Sequence, residues 1–196
     1  MKKILVFLFC SAMVFAQKDV SDAVKFQTDL NESFADSLKS PLMKEDLSQF
    51  EGLDFYPISE KFIVEAKFIR TKNEKAFQMK TTTARTPIYK KYGELHFKID
   101  GKELKLNVYQ NIELNKKPGF DDYLFLPFSD ATCGNETYIG GRYVDLKIQK
   151  KKKWIIDFNK AYNPYCAYNY EYSCPIVPLE NDLAVEINAG VKKFHD

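Results

Sequence analysis

The stretch YGELHFKIDGKELKLNVYQN, residues 92–111, decides the fold. Leu95, Phe97 and Ile99 alternate with Glu94, His96 and Lys98, and Leu104, Leu106 and Val108 return with the same spacing after Asp100-Gly101. Period-two alternation is the pattern of a half-buried strand, and an Asp-Gly pair tolerates the positive φ of a type I′ turn. Two antiparallel strands follow, with His96 on the solvated face. Outward from this hairpin, KFIVEAKFI (61–69) alternates in the same way, and strands are expected at 123–128, 141–148, 154–158 and 183–188. Strands do not alternate with helices, which argues against a parallel sheet. The expectation is a mainly β chain, an antiparallel β-barrel or sandwich.

Upstream the period is four. Phe26, Leu30, Phe34 and Leu38 form one apolar stripe with polar residues between them, which predicts a helix over 19–39. Ser40-Pro41 ends it and opens a second short helix in LMKEDLSQFEGL (42–53), with Gly52 placed to close it. The first sixteen residues have another character: Lys2 and Lys3, an apolar run from Ile4 to Cys10, then Val14-Phe15-Ala16 before Gln17. This is the layout of a secretory signal peptide cut between Ala16 and Gln17. Phe9 before Cys10 disfavours a lipid anchor, and no later segment is apolar enough to span a bilayer. The chain thus divides into a leader (1–16), a helical arm (17–39) and one β-rich domain (40–196), exported to the periplasm or beyond.

Loss of the leader removes Lys2 and Lys3 and leaves 27 basic against 27 acidic residues. A neutral chain has no general field to gather a phosphate backbone, so nucleic acid is not an expected partner. The run Lys150–Lys153 reads as a solvated hairpin tip. Three cysteines remain, and Cys166 and Cys174, eight positions apart, are candidates for a disulfide in an oxidising compartment. Such a ring would contribute about 2.5 kcal/mol. A structural zinc site wants four ligands at recognisable spacing, and the histidines are His96 and His195 alone, so no metal is expected.

Two clusters carry the polar chemistry. In DATCGNETYIGGRYVDL (130–146), alternation puts Arg142, Val144 and Leu146 on one face and Tyr143 and Asp145 on the other. An arginine that shares a face with Val and Leu points inward and needs a carboxylate or several acceptors, with Asp130, Glu136 and Asp157 in supply. Two readings stand side by side: a clasp internal to the protein, and a fork that grips a ligand. The second cluster, DFNKAYNPYCAYNYEYSCP (157–175), holds Asp157, Asn159, Tyr162 and Asn163 among five tyrosines. It reads as a loop that covers an open end of the barrel, or as an aromatic platform for sugar faces. Asp130, Glu136, Tyr138, Arg142, Asp157, Asn159, Tyr162 and Asn163 are the candidate ligand-binding residues.

The blocks LFLPFSDATCGNETYIGGRYVDL, IIDFNKAYNPYCAYN and CPIVPLENDLAVEINAG, preceded by SPLMKEDLSQFEGLDFYPI and YGELHFKIDGKELKLNVY, resemble the successive signature blocks of the bacterial domain-of-unknown-function family 1684 (DUF1684) over roughly residues 40 to 194. The resemblance implies an exported or lipid-anchored protein and supplies no catalytic residue. Cys133 stands where that family leads one to expect a hydroxyl residue.

No G-x-S-x-G elbow, H-E-x-x-H pair or Gly-Lys phosphate loop is present, and no cofactor is called for. A Cys133–His96 dyad is conceivable on residue type alone. The preferred function is a noncatalytic exported module that binds a small polar ligand or glycan. The alternatives are an extracytoplasmic hydrolase using Asp130, Glu136 or Asp157 with Arg142 stabilising negative charge, and a structural or assembly protein with no small ligand.

Overall fold

The computed structural model describes residues 18–195, so the expected leader and its cleavage point lie outside the described residues. The helical arm is α1 (Ser21–Ala35), followed by one short turn, α2 (Lys44–Leu47). Eight strands follow: β1 (Ile63–Arg70), β2 (Ala76–Gln78), β3 (Ile88–Ile99), β4 (Lys102–Asn111), β5 (Tyr123–Asp130), β6 (Arg142–Lys147), β7 (Lys153–Asp157) and β8 (Asp182–Leu183). They make one sheet in the order β6-β5-β4-β3-β1-β7, with β2 beside β3 and β8 beside β5. Of the two architectures left open by sequence, the sheet takes the curled one, an antiparallel half-barrel.

The β3–β4 hairpin is its spine. Asp100 and Gly101 have φ of 50° and 76°, the pair of positive values that a type I′ turn needs. Register then runs from Ile99 opposite Lys102 out to Tyr89 opposite Asn111. Period two does the rest. Leu95, Phe97, Leu106, Leu124, Leu126, Phe128, Val144, Trp154 and Ile156 project to one face and form the main core. The opposite face is not simply wet. Tyr89, Tyr109, Phe125 and Tyr143 cluster there with Met79, under the irregular segment that follows β7.

Four expectations change in detail. The run Lys150–Lys153 does not tip a hairpin, because the strands on either side of it, β6 and β7, lie at opposite ends of the sheet order and pair with β5 and β1. The helical stripe stops at Phe34, and Leu38 lies beyond the helix end at 92 % exposed. The second helix shrinks to residues 44–47. The strand expected at 183–188 pairs only through Ser129↔Asp182 and Asp130↔Leu183, and in parallel. Its continuation is irregular because the backbone of residues 185–191 is taken up by Ala131, Asp130 and Arg142 rather than by a neighbouring strand.

The joint between β4 and β5 has a different device. The two strands pair at Tyr109↔Phe125 alone. Beyond that point the buried amide of Asn181 fills the gap. Its Oδ1 accepts from the Asn107 N–H at 2.8 Å, while its Nδ2 donates to the carbonyls of Asn107 at 2.8 Å and Pro127 at 2.6 Å. One side chain thereby substitutes for missing rungs of the ladder, where unmet backbone groups would be costly. Among the described residues, no helix is long and apolar enough to cross a membrane.

Candidate functional site

Arg142 opens β6 directly after Gly141, whose φ is 81°. A Cβ at Gly141 would meet the Phe128 carbonyl oxygen at 2.6 Å, so only glycine lets the chain press against β5 there. The arginine is then delivered inward and is 0 % exposed. Its Nη2 donates to Asp130 Oδ1 at 3.3 Å and to the Ile187 carbonyl at 2.9 Å. Its Nη1 donates to the carbonyls of Ala189 and, at 3.3 Å, Val191. The guanidinium carbon lies 5.2 Å from the centre of the Phe128 ring, and Nε finds no acceptor.

Asp130 is engaged just as thoroughly. The Thr132 hydroxyl donates to it at 2.9 Å and the Ile187 N–H at 2.6 Å, in addition to Arg142. This is the arrangement of the internal clasp, and it ties the 130–141 loop and the C-terminal segment to the sheet.

The other candidate acids have separate duties. Glu136 accepts the Tyr56 hydroxyl at 2.7 Å. Asp157 caps the turn after β7, taking the Asn159 N–H at 3.0 Å and its side-chain amide at 2.8 Å. Asn159 is fully buried and clips Ser59 through both its N–H and its carbonyl, while its own carbonyl accepts from Gln27 on α1. Asn163 Nδ2 donates to the Lys192 carbonyl at 2.9 Å. Among the described residues, the hydrogen bonds given for Asp130, Glu136 and Asp157 go to different partners.

The two clusters do lie together. Tyr143 and Tyr162 exchange backbone hydrogen bonds at 2.9 and 3.0 Å, and the Tyr138 hydroxyl meets Cys166 Sγ at 3.9 Å.

The cysteines correct one expectation. Cys133, Cys166 and Cys174 are all free thiols, so the Cys166–Cys174 disulfide is not formed. The Cys166 N–H instead donates to Cys174 Sγ at 3.1 Å, which makes this sulfur an acceptor within a tight turn. The Cys174 thiol also hydrogen-bonds the Cys166 sulfur and draws the latter's pKa below its ordinary range, assisted by the Tyr138 phenol. Cys133 contacts Asp130 and Thr137, and burial pushes its pKa up. His96 is bonded to Glu94 at 2.9 Å, so no Cys133–His96 dyad is assembled.

What sequence reasoning missed is on the other face of β6. Tyr143 and Asp145 point away from Arg142 into a cavity of about 380 Å³. Its walls come from four places: Phe26 and Leu30 of α1, Tyr89 of β3, Tyr123 and Phe125 of β5, and the 162–175 segment. Tyr162 is the candidate residue that takes part. Asp145 Oδ1 accepts two phenols, from Tyr123 at 2.8 Å and Tyr162 at 2.7 Å. Burial holds both phenols far above their ordinary pKa, so they remain donors. Crowding by these walls raises the pKa of the Asp145 carboxyl, against the lowering effect of the two phenols. Its Oδ2 has no partner among the described residues. The available signal was the alternation in β6, which already set Tyr143 and Asp145 on a face of their own.

A half-barrel with an aromatic cavity on the outer face of its sheet, and a buried arginine clasp on the inner, defines a β-scaffold protein. The chain belongs to the DUF1684 family, described as "Protein of unknown function", whose model matches residues 48–192. Among solved structures it is similar to the solution NMR structure of an uncharacterized protein of Haloarcula marismortui, at 28 % identity and a TM-score of 0.69. The match covers 88 % of this chain and 92 % of that one. No curated protein matches.

Proposed function

We propose that this is an exported, noncatalytic binding module that seats a small polar ligand, a sugar unit included, in the cavity beside Asp145. The observation that carries the reading is the half-used carboxylate. One oxygen is fixed by Tyr123 and Tyr162 and the other has no partner among the described residues, at the exposed polar edge of an aromatic cavity. Few convergent polar groups among apolar walls are what ligand pockets present. A hydrolase would need acids that converge, and the candidate acids are each occupied elsewhere. The leader pattern of residues 1–16 supports export.

The test is a thermal-shift screen of the purified protein against sugars, peptidoglycan fragments, organic acids and amines, with hits mapped by amide chemical shifts. A ligand that binds only the folded form raises its melting temperature. The expected shifts fall on residues 143–145, 162–165 and 172–175. Hits that map elsewhere, or a panel with none, overturn the reading.

A further inference from the structure

The charge inventory of the cavity narrows what belongs in it. Asp145 is the one formally charged side chain on its walls, and six tyrosines and two phenylalanines surround it. Among the described residues no ion pair reaches the carboxylate, although Asp145 shares the wall of an adjoining cavity with Lys147 and Lys160. Lys147, two residues along β6, pairs with Asp122 at 3.8 Å, and Arg85 directs its guanidinium to Ser173. Asp145 stands at the solvent-exposed mouth of the cavity, with its phenol-bonded oxygen against the aromatic walls, and a carboxylate partly desolvated there without a counter-charge is destabilised relative to water. The raised pKa of Asp145 is the sign of that deficit.

The missing charge can be supplied from outside. Anions are repelled by the same carboxylate. A divalent metal ion is poorly served, because hard cations take six or more oxygen ligands and the phenols here stay protonated. No cluster of three metal-binding side chains occurs among the described residues. An ammonium centre suits both features at once: it pairs with the free carboxylate oxygen, and the ring quadrupoles attract its positive surface. The volume of about 380 Å³ lies at the small end for ligand pockets, so the molecule is compact. Tyr165 and Tyr172, packed edge to face on its wall, are 43 % and 36 % exposed.

Resting on the reading of this cavity as a ligand seat, we propose that its occupant is a small organic cation, an amine or quaternary ammonium, whose charged head sits against Asp145 and whose carbon body lies against the tyrosine rings.

The test compares choline with 3,3-dimethylbutan-1-ol, its neutral carbon isostere, by amide chemical-shift titration of the purified protein. Shape is held constant between the two probes and charge alone differs. Choline should shift residues 143–145 and 162–165 and bind about tenfold or more tightly than the isostere. In Asp145→Asn, which keeps an oxygen to accept the phenols, that preference should collapse. If the isostere binds as well as choline, or neutral sugars bind while both choline and tetramethylammonium do not, the cation assignment fails and the ligand seat survives. If no probe of any charge reaches the cavity, both fail. The comparison of the two probes on the unaltered protein decides the matter even if Asp145→Asn does not fold.

Discussion

Arg142 and Asp145 lie three residues apart on one strand, on opposite faces, and they are opposite kinds of polar centre. The arginine has four acceptors around its two terminal nitrogens, and its aspartate partner is held by a hydroxyl and a backbone N–H as well. Asp145 has two donors on one oxygen and none on the other. Buried charge survives in a native fold when its partners are built in, and the first centre has acceptors for both terminal nitrogens, with Nε alone left over. The second is organised on one side and unfinished on the other, at the wall of a cavity. The contrast separates a polar group that holds the fold from one that awaits something.

The sharpest way to break this contrast is to substitute each centre and measure urea unfolding. Arg142→Met keeps the apolar stem but leaves Asp130 buried without its cation and three carbonyls without their donor. Loss of one member of a buried pair costs about 3–5 kcal/mol. Asp145→Asn should change stability by less than about 1 kcal/mol at neutral pH, because the phenols retain an acceptor. Equal losses would dissolve the distinction between the two.

Asn181 extends the same logic to an uncharged group. Its amide serves both polar groups of Asn107 and the carbonyl of Pro127. Asn181→Ala strips all three in a buried place, at about 2–3 kcal/mol, and the same unfolding curves measure it. A loss below that of Arg142→Met and above that of Asp145→Asn is expected.

Acidity distinguishes the open centre in another way. The folded-state pKa of Asp145 is raised above the ordinary aspartate value of 3.8. A raised carboxyl binds its proton more tightly when folded, so its unfavourable contribution is absent below about pH 3.8 and develops as pH climbs through the folded value. Relative to Asp145→Asn, the unaltered protein should therefore lose stability across that window as pH rises. Part of the residue reaches solvent, so the effect is modest. Melting temperatures of both proteins across pH 3 to 7 measure it, and parallel curves would place the carboxyl in water.

Much of this was legible from spacing. Alternation in 92–111 and the Asp-Gly turn specify a hairpin because both signals are local, and alternation in 142–146 already sends Arg142 one way and Asp145 the other. The partner of Arg142 was among the three acids that composition offered. The cavity was not legible, since Phe26, Tyr89, Tyr123, Tyr143 and Tyr162 come from distant parts of the chain and meet only once the sheet has curled. Period two says which face a residue takes and not what lies over that face. The short strand at 182–183 and the irregular backbone after it were misjudged for a related reason. Residues 183–188 carry a strand pattern, but the buried guanidinium and its aspartate compete for the backbone groups that a ladder would use. The Asn181 wedge has no local signal at all, and an eight-residue cysteine spacing permits a bridge without requiring one.

The smallest effect separates the two faces by their thiols. Cys133 belongs to the clasp, where burial raises its pKa and Asp130 stands beside it. Cys166 belongs to the other side, beside Cys174 of the cavity wall, and hydrogen bonds from the Cys174 thiol and the Tyr138 phenol favour its thiolate. Both residues are partly exposed, so access alone does not rank them. The thiolate is the species that alkylates. Iodoacetamide at neutral pH should therefore modify Cys166 at least about tenfold faster than Cys133, as read by peptide mass spectrometry over a time course. In the unfolded protein Cys133, Cys166 and Cys174 should all react without prior reduction. Tyr138→Phe removes one donor to Cys166 and leaves the clasp untouched, so it should slow Cys166 and not Cys133. If both cysteines slow together, the two faces are coupled through the 130–141 loop, and the separation of a structural centre from a functional one no longer holds.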